Sequence, residues 1–319
     1  MSDIKQNHKK IQLREYGVVI GFIILCVIIT MATPAFASQK NILNLLRQSS
    51  IIGIISAGMT FVIISGNFDI SVGAVAALSG AIIMKLATSG VNLFAAMFIA
   101  LAVCGLIGCV NGFVVAKIGI PSLITTMAMV SIVKGSMLMF TGGYPITESF
   151  VVLDYIGNGY ILGIPVPVFV FAFTVLAAYI ALSKTRFGRY VYSVGGNAEA
   201  SKLNGINVDS YKIKVFIINA CLAGLAGIVL VGRMGTASPV AGDGYDMDAI
   251  ASVVIGGTSV AGGSGSPLKT VIGVLMMSVI NNSFNLLGVD MYFQYIFKGL
   301  IILIAVGLDS YSKKRLALR

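Results

Sequence analysis

The chain has 319 residues, of which 57% are hydrophobic and only 11% are charged, and its formal net charge is +10. Soluble domains carry about 25% charged residues, so this composition excludes an ordinary soluble protein. The apolar residues come in blocks of about 20, the length that crosses a ~30 Å hydrocarbon core. The basic residues lie between these blocks and form no stripe with interleaved aromatics, which argues against nucleic-acid binding. The sequence therefore predicts an all-α polytopic membrane protein.

About ten transmembrane helices are predicted in chain order. The spans are 16–36, 49–65, 68–88, 92–116, 121–140, 163–183, 213–232, 248–263, 268–287 and 292–309. Within the first span, the apolar run Val18–Met31 is followed by Ala35-Phe36-Ala37, which resembles a signal-peptide cleavage site, but the length and context of the run favour an uncleaved helix. Glycines interrupt the span 248–263, which need not cross fully, and only Gly66-Asn67 separates the second span from the third.

Charge distribution predicts the orientation of these spans. With the N-terminus inside, 16 of the 22 lysines and arginines fall in inner segments and 4 in outer segments. Because cytoplasmic loops carry the excess of positive charge, this asymmetry indicates that both ends are cytoplasmic. The tails are then 1–15 and 310–319, and the membrane domain is 16–309.

Two loops are long enough to contact partners, the outer loop 141–163 and the inner segment 184–211. In the inner segment 184–211, Asn197 would cap a short helix over 198–204, and Gly205 would end it in the left-handed conformation. The small, mixed surface of this helix is typical of a docking element rather than a solvated linker.

The two halves of the chain share a weak pattern. Asp69-Ile70-Ser71 opens the third span and Asp246-Met247-Asp248 precedes the eighth, while Val133-Lys134-Gly135 and Phe297-Lys298-Gly299 lie in the fifth and tenth. Spans 2–5 and 7–10 would run in opposite directions, which is consistent with an inverted repeat. Such short matches also arise by chance, and both interpretations stay open.

Polar residues in the segment Gly66–Gly73 are candidates for a solute path or gate. Ionisable residues are costly inside a membrane, so Asp69 is a functional candidate together with its neighbours Asn67 and Ser71. The alternative is structural, with Asp69 as the N-cap of the third span, and we favour the cap.

Three further polar residues lie within apolar spans. Lys134 and Lys298 either snorkel to the outer interface or face a hydrated cavity, where they would donate hydrogen bonds to a polar solute. Asn111 lies among glycines and most simply bonds across a tightly packed helix pair, with a place on the path as the alternative.

Enzyme chemistry has little support in the sequence. The single histidine, His8, lies in the polar tail, and P-loop, H-E-x-x-H and G-x-S-x-G patterns are lacking. The glycine-rich run Gly262–Ser266 has no following Lys-Ser or Lys-Thr pair, so we interpret it as a turn. The four cysteines lie in apolar blocks without C-x-x-C spacing, which predicts packing residues rather than metal ligands.

Four stretches resemble the permeases of ABC importers for monosaccharides, the ribose permease family. They are Gly66–Gly73, Asn111–Phe113, Gly195–Ile206 and Ala251–Ser266, and the resemblance covers about 41–309. Asn67 and Phe68 depart from the family pattern, so fine substrate detail is not carried over.

The resemblance implies a transmembrane permease subunit of an ATP-driven importer in the bacterial cytoplasmic (inner) membrane, moving ribose or a similar sugar by alternating access. It implies a second permease subunit, a cytoplasmic ATP-binding subunit and an extracytoplasmic sugar-binding protein, with surrounding lipid. ATP and Mg²⁺ would be held by the partner ATPase, and this chain would bind no cofactor or metal. The residues implied to couple to the ATPase are Asn197, Glu199, Ala200, Leu203 and Gly205.

The alternative is a secondary transporter or channel for a small polar solute that needs no ATPase. Few membrane-buried acids that could form a proton relay are evident, and the inner segment 184–211 has the character of a docking element. Both features favour the importer. The sequence does not identify the sugar or distinguish a homodimeric from a heterodimeric pore.

Overall fold

The computed structural model describes residues 19–317, which are mostly helical. The helices are α1 (Val19–Ala32), α2 (Gln39–Ile64), α3 (Val72–Thr88), α4 (Leu93–Phe113, continued as a π-helical turn Val114–Ile118), α5 (Ser122–Thr141), α6 (Val151–Asn158), α7 (Val166–Lys184), α8 (Arg186–Gly196), α9 (Ala198–Leu203), α10 (Val208–Met234), α11 (Tyr245–Ile255), α12 (Pro267–Leu286) and α13 (Met291–Ala317). Short strands β1 (Ile146–Thr147) and β4 (Thr236–Ala237) pair antiparallel, as do β2 (Tyr160–Ile161) and β3 (Ile164–Pro165).

Helix lengths support a membrane protein. Within residues 19–317, five helices are long and apolar enough to span a bilayer: α2, α4 with its π turn, α5, α7 and α10. Three shorter apolar helices are Val19–Ala32, Val72–Thr88 and Met291–Ile304. The predicted tail 1–15 and the start of the first span lie outside the described residues, while α13 continues as a helix through most of the predicted tail 310–319.

The centre of the fold is formed by α2 and α10. Most of the apolar stretch of each is buried, whereas α4 and α5 leave most of theirs exposed. Glycines allow α4 and α10 to approach backbone to backbone, since a Cβ at Gly108 would lie 2.5 Å from the carbonyl oxygen of Phe216. Close contact through small residues is the usual means of helix association in lipid, where the hydrophobic effect does not drive it.

The boundary between the second and third spans differs from the prediction. The second helix ends at Ile64 and the third begins at Val72, so a seven-residue irregular segment (65–71) replaces the predicted two-residue turn. Two of its backbone donors are satisfied by α5, because the Phe68 and Ile70 amides donate to the hydroxyls of Ser122 (3.1 Å) and Thr126 (3.2 Å). Irregular backbone is tolerated within a membrane only where such partners or water satisfy it.

The eighth span is shorter than predicted. The helix α11 has 11 residues, about 16 Å, and therefore cannot cross a bilayer alone. The irregular segment before it, 235–244, reaches deep into the helix bundle: a Cβ at Gly73 would lie 2.2 Å from the carbonyl oxygen of Gly242. Gly73 is near the start of α3, about 22 Å along the helix axis from its end at Thr88. The connection between α10 and α11 thus turns back into the helix bundle, and we call 235–244 the re-entrant segment.

The long loops contain more structure than the sequence suggested. The segment 184–211 holds two helices, α8 and α9, instead of one, and Gly195 of α8 lies directly against the end of α2. The loop 141–163 contains α6, whose Gly157 lies directly against the backbone of Gly232 and Arg233 near the end of α10. Both loops are therefore packed onto the helix bundle.

Candidate transport path and coupling segment

Asp69 is the centre of a buried hydrogen-bond network at the start of α3. Its Oδ1 accepts from the amide (2.9 Å) and the hydroxyl (2.6 Å) of Ser71, and its Oδ2 accepts from Nδ2 of Asn219 (2.9 Å). Asn111 Nδ2 donates to the Ser71 hydroxyl at 3.1 Å. All four residues are buried. The network ties the start of α3 to α4 and to the middle of α10.

The prediction that Asp69 caps the third span is wrong. The N-cap of α3 is Ser71, whose side chain makes no cap hydrogen bond, and Asp69 lies two residues earlier. Its carboxylate instead stabilises the turn before the helix and reaches across to α10. The simpler interpretation of Asn111 as an interhelical bond is consistent with its contact with Ser71.

Asn67 makes only local contacts. Its Nδ2 donates to the backbone carbonyl (3.0 Å) and the hydroxyl (3.1 Å) of Ser65, and the residue is buried. This side chain stabilises the irregular segment 65–71 after α2.

Lys134 lies in a groove between α5 and the re-entrant segment. Its Nζ is 2.6 Å from Oδ1 of Asp243, and the two side chains are 39% and 42% exposed. The groove has a volume of about 350 Å³, and its lining includes Ile70, Gly73 and Ser131. Lys134 therefore lies beside the start of α3, next to the Asp69 network but not bonded to it.

Lys298 is held in a separate, more buried pair. Its Nζ is 3.0 Å from both carboxylate oxygens of Asp248, whose side chain is only 4% exposed. Asn281 Nδ2 donates to Oδ2 of the same carboxylate at 3.2 Å. The cluster joins α11, α12 and α13, and neither snorkelling nor a cavity describes this lysine.

The segment 197–205, a candidate for coupling to an ATPase, has the local structure expected from its sequence. Asn197 Oδ1 accepts from the Ala200 amide at 2.9 Å and so caps α9. Gly205 has φ +78°, in the left-handed region, and α9 ends at Leu203, one residue before the predicted end. The Leu203 side chain is 89% exposed, and Glu199 and Ala200 are exposed too.

One side-chain hydrogen bond and two backbone contacts connect this segment to the interior of the bundle. Ser201 of α9 and Ser193 of α8 share a hydroxyl hydrogen bond of 2.8 Å. A Cβ at Gly195 would lie only 1.7 Å from the carbonyl oxygen of Ile64, and the amide of Gly263 donates to that same oxygen at 2.8 Å. A displacement of α8 would therefore press directly on the end of α2 and on the loop before α12.

The structure brings some candidates together and separates others. Asp69, Ser71 and Asn111 form one network, Asn67 lies in the same segment, Lys134 lies in the adjoining groove, and Lys298 is elsewhere. Their partners Asn219, Asp243, Asp248 and Asn281 were not among the predicted site residues. An isolated Asn in the apolar stretch 213–232 is a usable signal, because an amide in lipid needs a partner.

Comparison with known proteins identifies the family. The family model of the branched-chain amino acid transport system / permease component matches residues 41–306. The chain is 42% identical to the ribose import permease protein of Haemophilus influenzae over 92% of both chains, and 41% identical to that of Escherichia coli K12 over 94% of this chain and 95% of the relative. It is 31% identical to the xylose transport system permease protein of Escherichia coli K12 over 96% of this chain and 94% of the relative. No solved structure shows a significant match. The chain belongs to this family of transport-system permease components.

Proposed function

We propose that the chain is the transmembrane permease subunit of an ATP-driven importer that moves a monosaccharide across the bacterial cytoplasmic membrane. The observation that carries this proposal is the 42% identity with a ribose import permease over nearly the full length of both chains. The family description names branched-chain amino acids, but relatives at 31–42% identity are ribose and xylose permeases. A pentose such as ribose or xylose is therefore the preferred substrate.

Other subunits would bind ATP, complete the pore and deliver the sugar. The sequence contains no P-loop pattern, so ATP and Mg²⁺ would be held by a separate ATPase subunit. A second permease subunit would complete the pore, and an extracytoplasmic binding protein would deliver the sugar. The chain itself would bind no cofactor, metal or nucleic acid.

Docking of the ATPase would take place on α9. Leu203 is a large apolar side chain at 89% exposure, flanked by the exposed Glu199 and Ala200. Movement of α9 would reach the pore through the hydroxyl bond between Ser193 and Ser201, and then through the contact of Gly195 with the end of α2. This route ends at the irregular segment 65–71.

The ten-span topology with cytoplasmic ends, and the inverted repeat, are part of the proposal. Helices overlap each of the ten predicted spans. In both halves a helix begins inside the bundle after irregular backbone, at Val72 and at Tyr245, as in transporters with discontinuous helices. Lys134 and Lys298, at matching places in the two halves, each pair with an aspartate.

The alternative of a secondary transporter rests on buried acids. Among the described residues, the buried acids are Asp69 and Asp248, which are 1% and 3% exposed, in agreement with the expectation of few buried acids. Asp248 is paired with Lys298, and Asp69 accepts three hydrogen bonds, so neither carboxylate is left without partners. These fixed arrangements favour the importer.

Reconstitution tests the proposal. The chain would be inserted into liposomes together with its candidate ATPase and binding-protein partners, and uptake of labelled ribose, xylose and leucine would be measured with and without ATP inside. Pentose uptake that requires ATP and the binding protein is expected. Uptake by the chain alone in ATP-free liposomes would favour the secondary transporter. ATP-dependent uptake of leucine, without uptake of a pentose, would show that the substrate is an amino acid and not a sugar.

Gly205 tests the coupling role of α9. Its φ of +78° and the free space around it mean that Gly205→Leu adds backbone strain and bulk at the proposed docking surface. We expect uptake to be abolished while the protein stays folded and inserted. The matched control is Gly90→Leu, because Gly90 has φ +89° and equally free space in the α3–α4 turn. Undiminished uptake by the Gly205 variant would exclude this coupling role.

A further inference from the structure

The groove beside Lys134 combines three properties that an ordinary lipid-facing surface lacks. It has a volume of about 350 Å³, it contains opposite charges, and one wall is irregular backbone. The walls are α5, with Ser131 and Lys134, the start of α3, and the re-entrant segment around Asp243.

The depth of the groove indicates that it is hydrated. Asp69 bonds to Asn219, near the middle of the 27-residue α10, so α3 begins about halfway along α10. Gly242 of the re-entrant segment lies directly against Gly73 at this level. Non-helical backbone at such depth is tolerated only where it is buried in protein or lines a water-filled cavity. Asp243 is 42% exposed in the single chain, so its side chain is not buried there, and a charged group at this depth faces water or a polar partner rather than lipid.

The ion pair in the groove connects the two halves of the chain. Lys134 belongs to α5 and Asp243 to the connection between α10 and α11. In contrast to Lys298 and Asp248, which are 19% and 4% exposed, both members are accessible from the groove. An accessible pair can exchange its mutual contact for contacts with a ligand, whereas a buried pair cannot do so without leaving charges unpaired.

We propose that the translocated sugar contacts Lys134 and Asp243 in this groove while it crosses the membrane. A sugar hydroxyl accepts a hydrogen bond from the Lys134 ammonium, and a second hydroxyl donates one to the Asp243 carboxylate. A neutral polyol carries both donors and acceptors, so it can replace the ion pair without bringing net charge into the membrane. A singly charged solute would gain from one member and be repelled by the other. The proposal rests on the proposed function and deepens it.

Thiol accessibility tests whether the groove is the path. In the reconstituted complex, Ser131→Cys in the groove should react with a hydrophilic thiol reagent, and ribose with the binding protein and ATP should slow this reaction. The control is Ile132→Cys, one residue further along α5, where an apolar side chain is 59% exposed outside the groove. The wild-type chain, with Cys26, Cys104, Cys109 and Cys221, is labelled in parallel as background.

Transport assays test the two charged groups. Exposed ion pairs contribute little to stability, so Lys134→Met and Asp243→Asn should fold. We expect each to lower the rate of ribose uptake by about tenfold or more, the effect of losing a charge-assisted hydrogen bond. The control is Lys117→Met, which removes a 2.8 Å pair with Asp209 of similar exposure outside the groove and should leave uptake unchanged.

The outcomes separate this inference from the proposed function. Failure of the wild-type complex to take up any pentose with ATP would overturn the proposed function. ATP-dependent pentose uptake by the wild type, together with an unreactive Ser131→Cys or with normal uptake by both charge variants, would overturn only the groove assignment. Protection of Ser131→Cys by leucine but not by ribose would also overturn it, because a zwitterion and not a polyol would then occupy the groove.

Discussion

Removal of the Asp69 carboxylate should destabilise the helix bundle measurably. In Asp69→Ala, the amide and the hydroxyl of Ser71 and Nδ2 of Asn219 lose their acceptor in a site where all three residues are buried. A buried donor without a partner costs about 1–3 kcal/mol, so three donors cost roughly 3–9 kcal/mol. The Asn219 bond joins α10 to the segment before α3, and bonds between membrane helices average about 0.6 kcal/mol, so the total loss is at least about 2 kcal/mol.

Thermal unfolding of the purified chain in mild detergent measures this cost. A change of 1 kcal/mol shifts the Tm of a large domain by about 2–4 °C, so we expect Asp69→Ala to lower it by at least about 4 °C. Asp69→Asn should cost less, because the Asn219 amide can turn over and present its unpartnered Oδ1 to the new side-chain NH₂. The control is Ser56→Ala, which removes an equally buried hydroxyl that bonds only to its own helix, at the Ile52 carbonyl.

A double-mutant cycle decides whether the bond across the helices is responsible. Asp69→Ala and Asn219→Ala each break the same 2.9 Å contact, so the double variant should lose less stability than the sum of the two. Groups in one hydrogen-bond network couple by about 0.5–3 kcal/mol. Strictly additive losses, or an Asp69→Ala variant as stable as the wild type, would refute the argument.

Three further predictions concern other contacts. Gly108→Leu should destabilise the isolated chain by more than about 3 kcal/mol, more than ordinary overpacking does, because the group facing Gly108 is backbone that cannot move aside. Gly135→Leu should be tolerated because the space around Gly135 is open. Thermal unfolding of the two variants in detergent measures the difference. Lys298→Met leaves the Asp248 carboxylate buried without its cation and should cost about 3–5 kcal/mol, and Asp248→Asn in the same chain should restore most of it; equal melting of the single and double variants would contradict this. Leu203→Glu should weaken co-purification of the ATPase without changing the melting temperature, since the side chain is exposed; unchanged recovery of the ATPase would exclude Leu203 from the interface.

Local features of the fold followed from the sequence because they depend on neighbouring residues. Asn197 caps α9 and Gly205 ends it in the left-handed conformation, since both roles depend only on side-chain reach and backbone freedom within a few residues. The sequence also predicted that the span 248–263 need not cross the membrane fully, because glycines interrupt it. The two-residue turn at Gly66-Asn67 was wrong because α5 supplies hydroxyls that stabilise a longer irregular segment, and a hydropathy pattern contains no information about that partner.

The order of amino acids is enough to place this protein in a lipid bilayer, to locate its helices approximately and to identify the few polar residues within them. These properties follow from hydropathy summed over windows of about 20 residues. The partners of those polar residues depend on how the helices pack: Asp69 bonds to Asn219 across 150 residues, and Lys134 pairs with Asp243 across 109. The re-entrant course of 235–244 was decided in the same way, by the contact of Gly242 with Gly73. Such choices depend on which helix faces meet, and every polar group buried in lipid must find its partner there.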